Sequence, residues 1–253
     1  MSATEEEANH PFIFDETLSQ IRLDGPFEID VPLAQSITYS RGGDAVTWVP
    51  AAEVQGTDAL VAQSEGLMLA LSFEATSMGG ILDGRLMNRA EQPILLHTVT
   101  IASIDLALAL SKWGDSARLY QHGYQSWTPS GSIPITAVQR YPRSRSFSAM
   151  NHDVDSVHWG RKEGIISSLF TALSPQDGGQ VVLIGSLTQR IGLSTLFFDG
   201  KTLDLTLEYA GKVLLPGEAL ELEALFVGSG NEEPLFDAYA LLVKERMAVQ
   251  LDK

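Results

Sequence analysis

The stretch from Leu119 to Pro134 gathers Tyr120, His122, Tyr124, Gln125, Ser126, Trp127 and Ser130 among the turn-forming residues Gly123, Pro129 and Gly131. Aromatic faces interleaved with hydrogen-bonding side chains suit a sugar, whose C–H face lies on a ring while its hydroxyls meet amide, imidazole or hydroxyl groups. Trp127 is the central candidate. A plainer reading competes, in which Tyr124 and Trp127 close one end of a β-sandwich core. On composition alone the plainer reading is the stronger, because tryptophan is highly buried on average.

Other constellations carry less chemistry. Asn151-His152-Asp153-Val154-Asp155-Ser156-Val157-His158-Trp159 brings together imidazoles and carboxylates, but their spacing matches no helical or finger pattern of metal ligands, and a polar interstrand loop is the stronger reading. Arg140, Arg143 and Arg145 form the dense basic cluster of an acidic chain. They read equally as a docking patch for an acidic surface and as a solvated loop. The chain has no Gly-x-Ser-x-Gly elbow, no Gly-x-x-x-x-Gly-Lys phosphate loop and no paired-histidine metal helix. Its carboxylates cannot be sorted into a glycosidase pair, because such a pair is defined by separation in space. Most are expected on solvated strand faces. No catalytic residue is assigned, and neither a cofactor nor a metal is expected.

Composition narrows the partners. Lys plus Arg 17 against Asp plus Glu 32 gives a net charge of -15 over 253 residues, a surface that repels nucleic acid and anionic membranes. A neutral ligand or a protein partner fits better. The absence of cysteine excludes disulfides, zinc-thiolate sites and thiol nucleophiles. Met1 to His10 carries Glu5, Glu6 and Glu7 where a secretory peptide has basic and then apolar residues, so it reads as a disordered acidic tail, with a cytoplasmic location expected. The most apolar region, Ile94 to Leu110, is interrupted by His97, Thr98, Thr100, Ser103 and Asp105, which suits a sheet and not a bilayer.

The elements that must hold the loop read as strands. Turn chemistry stands at Asp24-Gly25-Pro26, Arg41-Gly42-Gly43-Asp44, Gly79-Gly80, Asp83-Gly84, Asp199-Gly200 and Pro216-Gly217. Trp48 is expected to face the core. Leu67, Leu69, Leu71 and Phe73 alternate, with Met68 and Ala70 between them, so this strand is open to cover on both faces. Leu95, His97, Val99 and Ile101 share one parity while Ile104, Leu106, Leu108 and Leu110 share the other, which requires a bulge or turn near Ala102-Ser103. His97 then reads as a packed sheet histidine. The segment Thr195 to Phe198 and the run Leu203, Leu205, Leu207, Tyr209 form a hairpin, followed by a strand in which Leu220, Leu222, Ala224 and Phe226 alternate with Glu221, Glu223 and Leu225. These segments read as an antiparallel meander. The pattern changes at Gly228-Ser229-Gly230, where Asn231 can cap a helix with Glu232, Glu233 and Pro234 in its first turn and Leu235, Tyr239, Leu242 and Met247 near one face.

The run Gly123-Tyr124-Gln125-Ser126-Trp127-Thr128-Pro129-Ser130-Gly131 resembles the signature loop in the N-terminal domain of the α-galactosidases of the melibiase and raffinose synthase group, glycoside hydrolase family 36. The segment Glu233-Pro234-Leu235 through Ala238-Tyr239-Ala240-Leu241 is similar to that family's link into its catalytic barrel. The resemblance implies an all-β fold, an antiparallel β-supersandwich of the galactose mutarotase-like kind over residues 11–230, with a C-terminal linker helix over 231–253. It implies that Trp127 borders the galactose pocket of a following (β/α)8 barrel absent from this sequence, with Tyr124, Gln125 and Ser126 fixing the loop. The implied partners are a galactoside-type sugar, that barrel and further copies of the chain in an oligomer. Hydrolysis with retention would use two barrel carboxylates, so no activity is expected of this chain alone. The competing class is a free-standing carbohydrate-binding or structural module. The terminal helix is expected to discriminate, since a self-sufficient module should not end in an uncovered apolar face.

Overall fold

The computed structural model describes residues 12–15, 20–23, 29–54, 59–64, 66–123, 130–137, 139–140 and 163–248. Their strands are β1 (Phe12–Asp15), β2 (Gln20–Leu23), β3 (Ile29–Arg41), β4 (Asp44–Trp48), β5 (Ala52–Val54), β6 (Ala59–Gln63), β7 (Leu67–Thr76), β8 (Gly79–Asn88) and β9 (Ile94–Asp105). After a short helix α1 (Ala107–Trp113) come β10 (Ala117–Gln121), β11 (Gly131–Pro134), β12 (Gln139–Arg140), β13 (Glu163–Ser168), β14 (Phe170–Pro175) and β15 (Gln180–Ser186). The remainder is β16 (Leu193–Phe198), β17 (Thr202–Leu214), β18 (Ala219–Glu221), β19 (Leu225–Asn231) and α2 (Glu232–Arg246). The expected all-β antiparallel sandwich with a C-terminal helix is the observed fold.

Among the described residues the strands form two sheets. The first runs β1-β2-β3-β9-β17-β16-β13-β12, with β4 paired to β3; the second runs β11-β10-β14-β15-β19-β8-β7-β6-β5, with β18 paired to β8. Between them lies the main core, with Leu67, Leu69 and Leu71 of β7 and Leu96, Val99, Leu205 and Phe198 of the facing sheet. The centre of the second sheet is apolar on both faces. In Val181-Val182-Leu183-Ile184, Val182 and Ile184 join the main core while Val181 and Leu183 enter a second cluster outside the sandwich. Leu225 and Val227 against Phe226, and Leu82 against Ile81, divide in the same way. Such a sheet must be covered twice.

Helix α2 supplies the second cover. Leu235 and Tyr239 are buried against this outer cluster, with Phe236, Leu242 and Val243 beside them, and each fully buried side chain contributes roughly 1.5–3 kcal/mol. Arg246 pins the last turn by ion pairs to Glu74 (3.1 Å) and Asp83 (3.3 Å). The apolar face of the helix is therefore covered by the domain's own sheet, and it does not discriminate in favour of a missing partner. Asn231 stands at the N-cap position but its side chain makes no capping hydrogen bond.

Several turns fall where expected. Arg41 and Asp44 pair across Gly42 (φ 60°) and Gly43 (φ 95°), conformations that favour glycine. Asp199 accepts from the Lys201 and Thr202 N–H groups around Gly200 (φ 102°) in the β16–β17 hairpin. Asp24-Gly25-Pro26 lies outside the described residues. Trp48 is partly buried against the main core.

Other expectations are corrected. Gly79-Gly80 and Asp83-Gly84 are not turns; all four residues lie within β8, and the turn is at Ser77-Met78. These glycines answer close approach: a Cβ at Gly84 would stand 2.9 Å from Leu222 Cδ1, and one at Gly79 would overlap the Val227 carbonyl. Gly228-Ser229-Gly230 continues β19 for the same reason, since a Cβ at Gly228 would meet the Phe226 ring and the Met78 carbonyl. The alternation at Leu106, Leu108 and Leu110 belongs to a helical turn, which Asp105 opens by accepting the Ala107 N–H (2.8 Å). Strand β9 changes register twice, between Leu96 and Thr98 and, beside the expected Ala102-Ser103, between Thr100 and Ala102. Leu96 therefore faces the core while Leu95 is exposed. His97 is half-buried and sits 2.8 Å from the Ser40 hydroxyl. The segment after β17 is not a meander, because Pro216-Gly217 carries the chain from the first sheet to the second.

The stretch Leu220 to Phe226 is two strands, and the break between them turns Glu223 inward, where it is 3% exposed. Its carboxylate accepts from the Thr188 hydroxyl (2.6 Å) and from the N–H groups of Arg190 (3.0 Å), Ile191 (2.9 Å) and Gly192 (2.8 Å). Burial raises its pKa, but the Thr188 hydroxyl and these amides outweigh burial and hold it below the ordinary 4.5. With the folded-state pKa depressed, the stabilisation is fully present above pH 4.5 and is lost as pH falls through the folded-state value. Glu223→Gln, which opposes an amide NH2 to these donors, is expected to lower the unfolding free energy at pH 7 by about 2 kcal/mol. Urea denaturation of both proteins measures it, and the gap should narrow in acid.

Candidate functional site

Strands β10 and β11 pair from Arg118↔Pro134 to Gln121↔Gly131, so the sugar-loop candidate leaves and re-enters the second sheet at one place. The Gly123 N–H donates to the Ser130 hydroxyl (2.9 Å) and closes the neck. Gly131 adopts φ 155° with open space around its α-carbon, a region essentially restricted to glycine. Trp127, Tyr124, Gln125 and Ser126 lie outside the described residues, as do Arg143, Arg145 and the segment Asn151 to Trp159. Arg140 is in β12. Among the described residues no group of three or more His, Cys, Asp or Glu side chains could hold a metal ion, and no helix is long and apolar enough to cross a membrane.

The neck is anchored to a corner. Strand β13 belongs to the first sheet and β14 to the second, and Leu169 alone separates them, at φ 71°. A non-glycine residue in this left-handed region costs roughly 1–2 kcal/mol, so the corner has to be over-determined by its surroundings. The Leu169 N–H donates to the Ser194 carbonyl (3.0 Å), and the Leu169 carbonyl accepts from Ser186 (2.7 Å). His122 joins the corner on both sides. Its N–H donates to the Ser167 hydroxyl (2.8 Å), its carbonyl accepts from the Ser168 N–H (2.8 Å), and its Nδ1 lies 2.9 Å from the Ser168 carbonyl. A carbonyl only accepts, so Nδ1 carries the hydrogen and the tautomer is set. The Thr171 hydroxyl donates to the Tyr120 carbonyl (2.7 Å) one pair further along.

Aromatic rings extend this anchorage to α2. Phe170 stacks on Tyr120 with centroids 5.4 Å apart, contacts His122 at 4.9 Å, and meets Phe236 (6.1 Å, edge-on) and Tyr239 (5.7 Å) of the helix. The Tyr239 hydroxyl donates to the Ser186 carbonyl (2.7 Å), and burial pushes its pKa up. Gly185 makes room for this contact, because a Cβ there would stand 2.6 Å from the Tyr239 hydroxyl and 2.7 Å from Phe170 Cβ. His122 and Tyr120 belong to the stretch picked out in the sequence. Nothing in the sequence marks the corner at Ser167 to Phe170 or its link to α2, since the continuous run Ile165-Ile166-Ser167-Ser168-Leu169-Phe170 has no turn residue.

No family model matches the sequence, and no curated protein matches it. Solved structures match the fold. The GH36 alpha-galactosidase AgaB from Geobacillus stearothermophilus aligns with 87% of this chain at 12% identity and a TM-score of 0.52. The chain spans 41% of that enzyme's length. A galactose mutarotase-like protein from Lactobacillus casei aligns with 88% of this chain and 98% of its own, at 13% identity and a TM-score of 0.51. A galactose mutarotase related enzyme from Lactobacillus acidophilus does so over 89% and 97%, at 8% identity and a TM-score of 0.51. The likeness establishes a galactose mutarotase-like all-β fold, shared with part of an α-galactosidase chain.

Gly185→Ala tests the packing beneath the neck. The added methyl group is expected to cost about 1–3 kcal/mol, read as a lower thermal midpoint, with the backbone amide resonances of His122 and Gly123 among those displaced.

Proposed function

We propose that this chain is the β-supersandwich domain of an α-galactosidase-like glycoside hydrolase, which acts on terminal α-galactosides through a catalytic barrel elsewhere in the full-length protein. In this reading Trp127 forms part of the rim of the sugar pocket, Tyr124, Gln125 and Ser126 hold the loop, and the domain packs on the barrel and takes part in homo-oligomer contacts. The carrying observation is the pairing of fold with loop. A chain that shares its fold with part of AgaB also carries the sequence Gly123-Tyr124-Gln125-Ser126-Trp127 between Gln121 and Gly131, which pair at a neck anchored where the two sheets meet. The chain supplies no hydrolytic carboxylate pair in this reading.

A second reading has specific support. The two mutarotase-like proteins are matched over 98% and 97% of their own lengths, and α2 covers its own domain, so a free-standing carbohydrate-binding or structural module fits as well. One experiment separates the two. The coding sequence is read beyond Lys253, and the resulting full-length protein is assayed on an aryl α-galactoside beside Trp127→Ala. The hydrolase reading expects a barrel, activity, and a loss of kcat/KM of roughly 10- to 100-fold in the variant. A stop codon directly after Lys253, or a Trp127→Ala enzyme as active as its parent, would sink the assignment of Trp127 to the sugar rim.

A further inference from the structure

We infer that the loop from Thr188 to Gly192 is a latch on the last turn of α2, held shut by the Glu223 carboxylate and opened when that carboxylate takes a proton. The latch stands on residues the proposed function does not use.

The ends and the centre of the loop are held by different chemistry. At its ends the Ser186 hydroxyl donates to the Thr188 carbonyl (2.6 Å), the Gln189 side-chain amide donates to the Ser194 hydroxyl (3.1 Å), and Gly192 packs so closely on the Tyr209 ring that a Cβ there would stand 2.8 Å from it. At its centre the Arg190 and Ile191 N–H groups both donate to Glu223, while the Ile191 side chain is 54% exposed. The centre therefore depends on the carboxylate. Arg190 carries that dependence to the helix, because its guanidinium donates to the Arg246 carbonyl (3.1 Å) at the C-terminal end of α2, where a cation also meets the negative end of the helix dipole. Beside it the Gln189 N–H donates to the Met247 sulfur (3.4 Å). The turn so gripped includes Ala248 at φ 50°, a left-handed conformation that a residue with a Cβ keeps only where its surroundings hold it. The other tie of this turn is the Arg246 side chain, paired with Glu74 of β7 and Asp83 of β8.

Protonation undoes the centre of the loop. Both Glu223 oxygens accept, Oε1 from Arg190, Ile191 and Gly192 and Oε2 from Thr188 and Arg190. A proton on either oxygen then faces a donor, and the Thr188 hydroxyl, which already accepts the Ala224 N–H (2.9 Å), has its single hydrogen committed to Glu223. The titratable groups that face Glu223 are Arg190 on the loop and, from β17, the Tyr209 phenol, whose pKa is pushed up by burial and then by the Glu223 charge. Burial raises the Glu223 pKa and its four donors lower it by more, to below 4.5, so the latch is shut above pH 4.5 and opens as pH falls through the folded-state value.

Hydrogen exchange in the full chain tests this at the Met247 and Ala248 amides, which donate to the Val243 and Glu245 carbonyls of the last turn. Arg190→Leu is expected to speed exchange there by about tenfold while the Ile191 and Gly192 amides keep the rates of the parent. Glu223→Gln is expected to speed all four. The two substitutions together should act on Met247 and Ala248 no more than either alone, because they remove one connection. The acid response is read in protein carrying Glu74→Gln and Asp83→Asn, where Arg246 has no carboxylate to lose. Protection at Met247 and Ala248 should fall by about tenfold as pH passes downward through the Glu223 value, and should not fall once Arg190→Leu is added. An Arg190→Leu protein with the parent's rates at Met247 and Ala248 overturns the inference, as do additive effects of the two substitutions or an acid response that survives Arg190→Leu. Should Glu223→Gln not fold, Arg190→Leu and the acid response decide alone.

Discussion

A sheet that is apolar on both faces has to be covered on both, and the rest of this molecule follows from that requirement. The strands at the centre of the second sheet, β14, β15, β19 and β8, send alternate residues into the sandwich and into the cluster beneath α2. Without the helix, Val181, Leu183 and Phe226 would face water, a loss of roughly 1.5–3 kcal/mol each. Helix α2 is thereby the third layer of the domain, and the aromatic ring it buries, Tyr239, reaches the Ser186 carbonyl at the edge of the corner that also holds the loop.

Close packing of that third layer accounts for the glycines within strands. Gly185 admits Tyr239 and Phe170, Gly228 admits the Phe226 ring, and Gly84 admits Leu222 from the other side. Each lowers the intrinsic strand preference of its segment, and each is compensated by the larger ring or aliphatic group that occupies the space. The buried carboxylate follows similar logic. The loop 188–192 leaves its amides pointing inward, and Glu223 satisfies them at the break between β18 and β19. An apolar residue there would leave these donors without an acceptor, which costs more than the desolvation of a carboxylate surrounded by four donors.

What was legible in the sequence was whatever local chemistry decides. Asp199-Gly200 and Gly42-Gly43 mark hairpins because the turns themselves require those residues, and the helix after Asn231 announces itself through its acidic first turn and spaced apolar positions. Gly79-Gly80 and Gly84 misled because a glycine needed for close approach has the same letter as one needed for positive φ. Glu223 misled because alternation assigns it to the wet face, and only a strand break, invisible in a Leu-Glu-Leu-Glu run, turns it inward. Of the candidate site, the turn-forming, polar and aromatic content of the loop could be read locally. The corner could not, since Leu169 is held in the left-handed region by Ser186 and Ser194, which are distant in sequence from the loop they help to anchor.

That corner is also coupled to α2. The loop neck, the sheet junction and the helix are joined by two routes, one of stacked rings through Phe170 and one of hydrogen bonds from Tyr239 through Ser186 and Leu169 to the segment that holds His122. The two routes end on the buried Tyr239 and Ser186 and run through the partly buried Phe170 and Leu169. A helix seated by Leu235, Tyr239 and the Arg246 ion pairs is thereby tied, through these contacts, to the strands that hold the neck between β10 and β11.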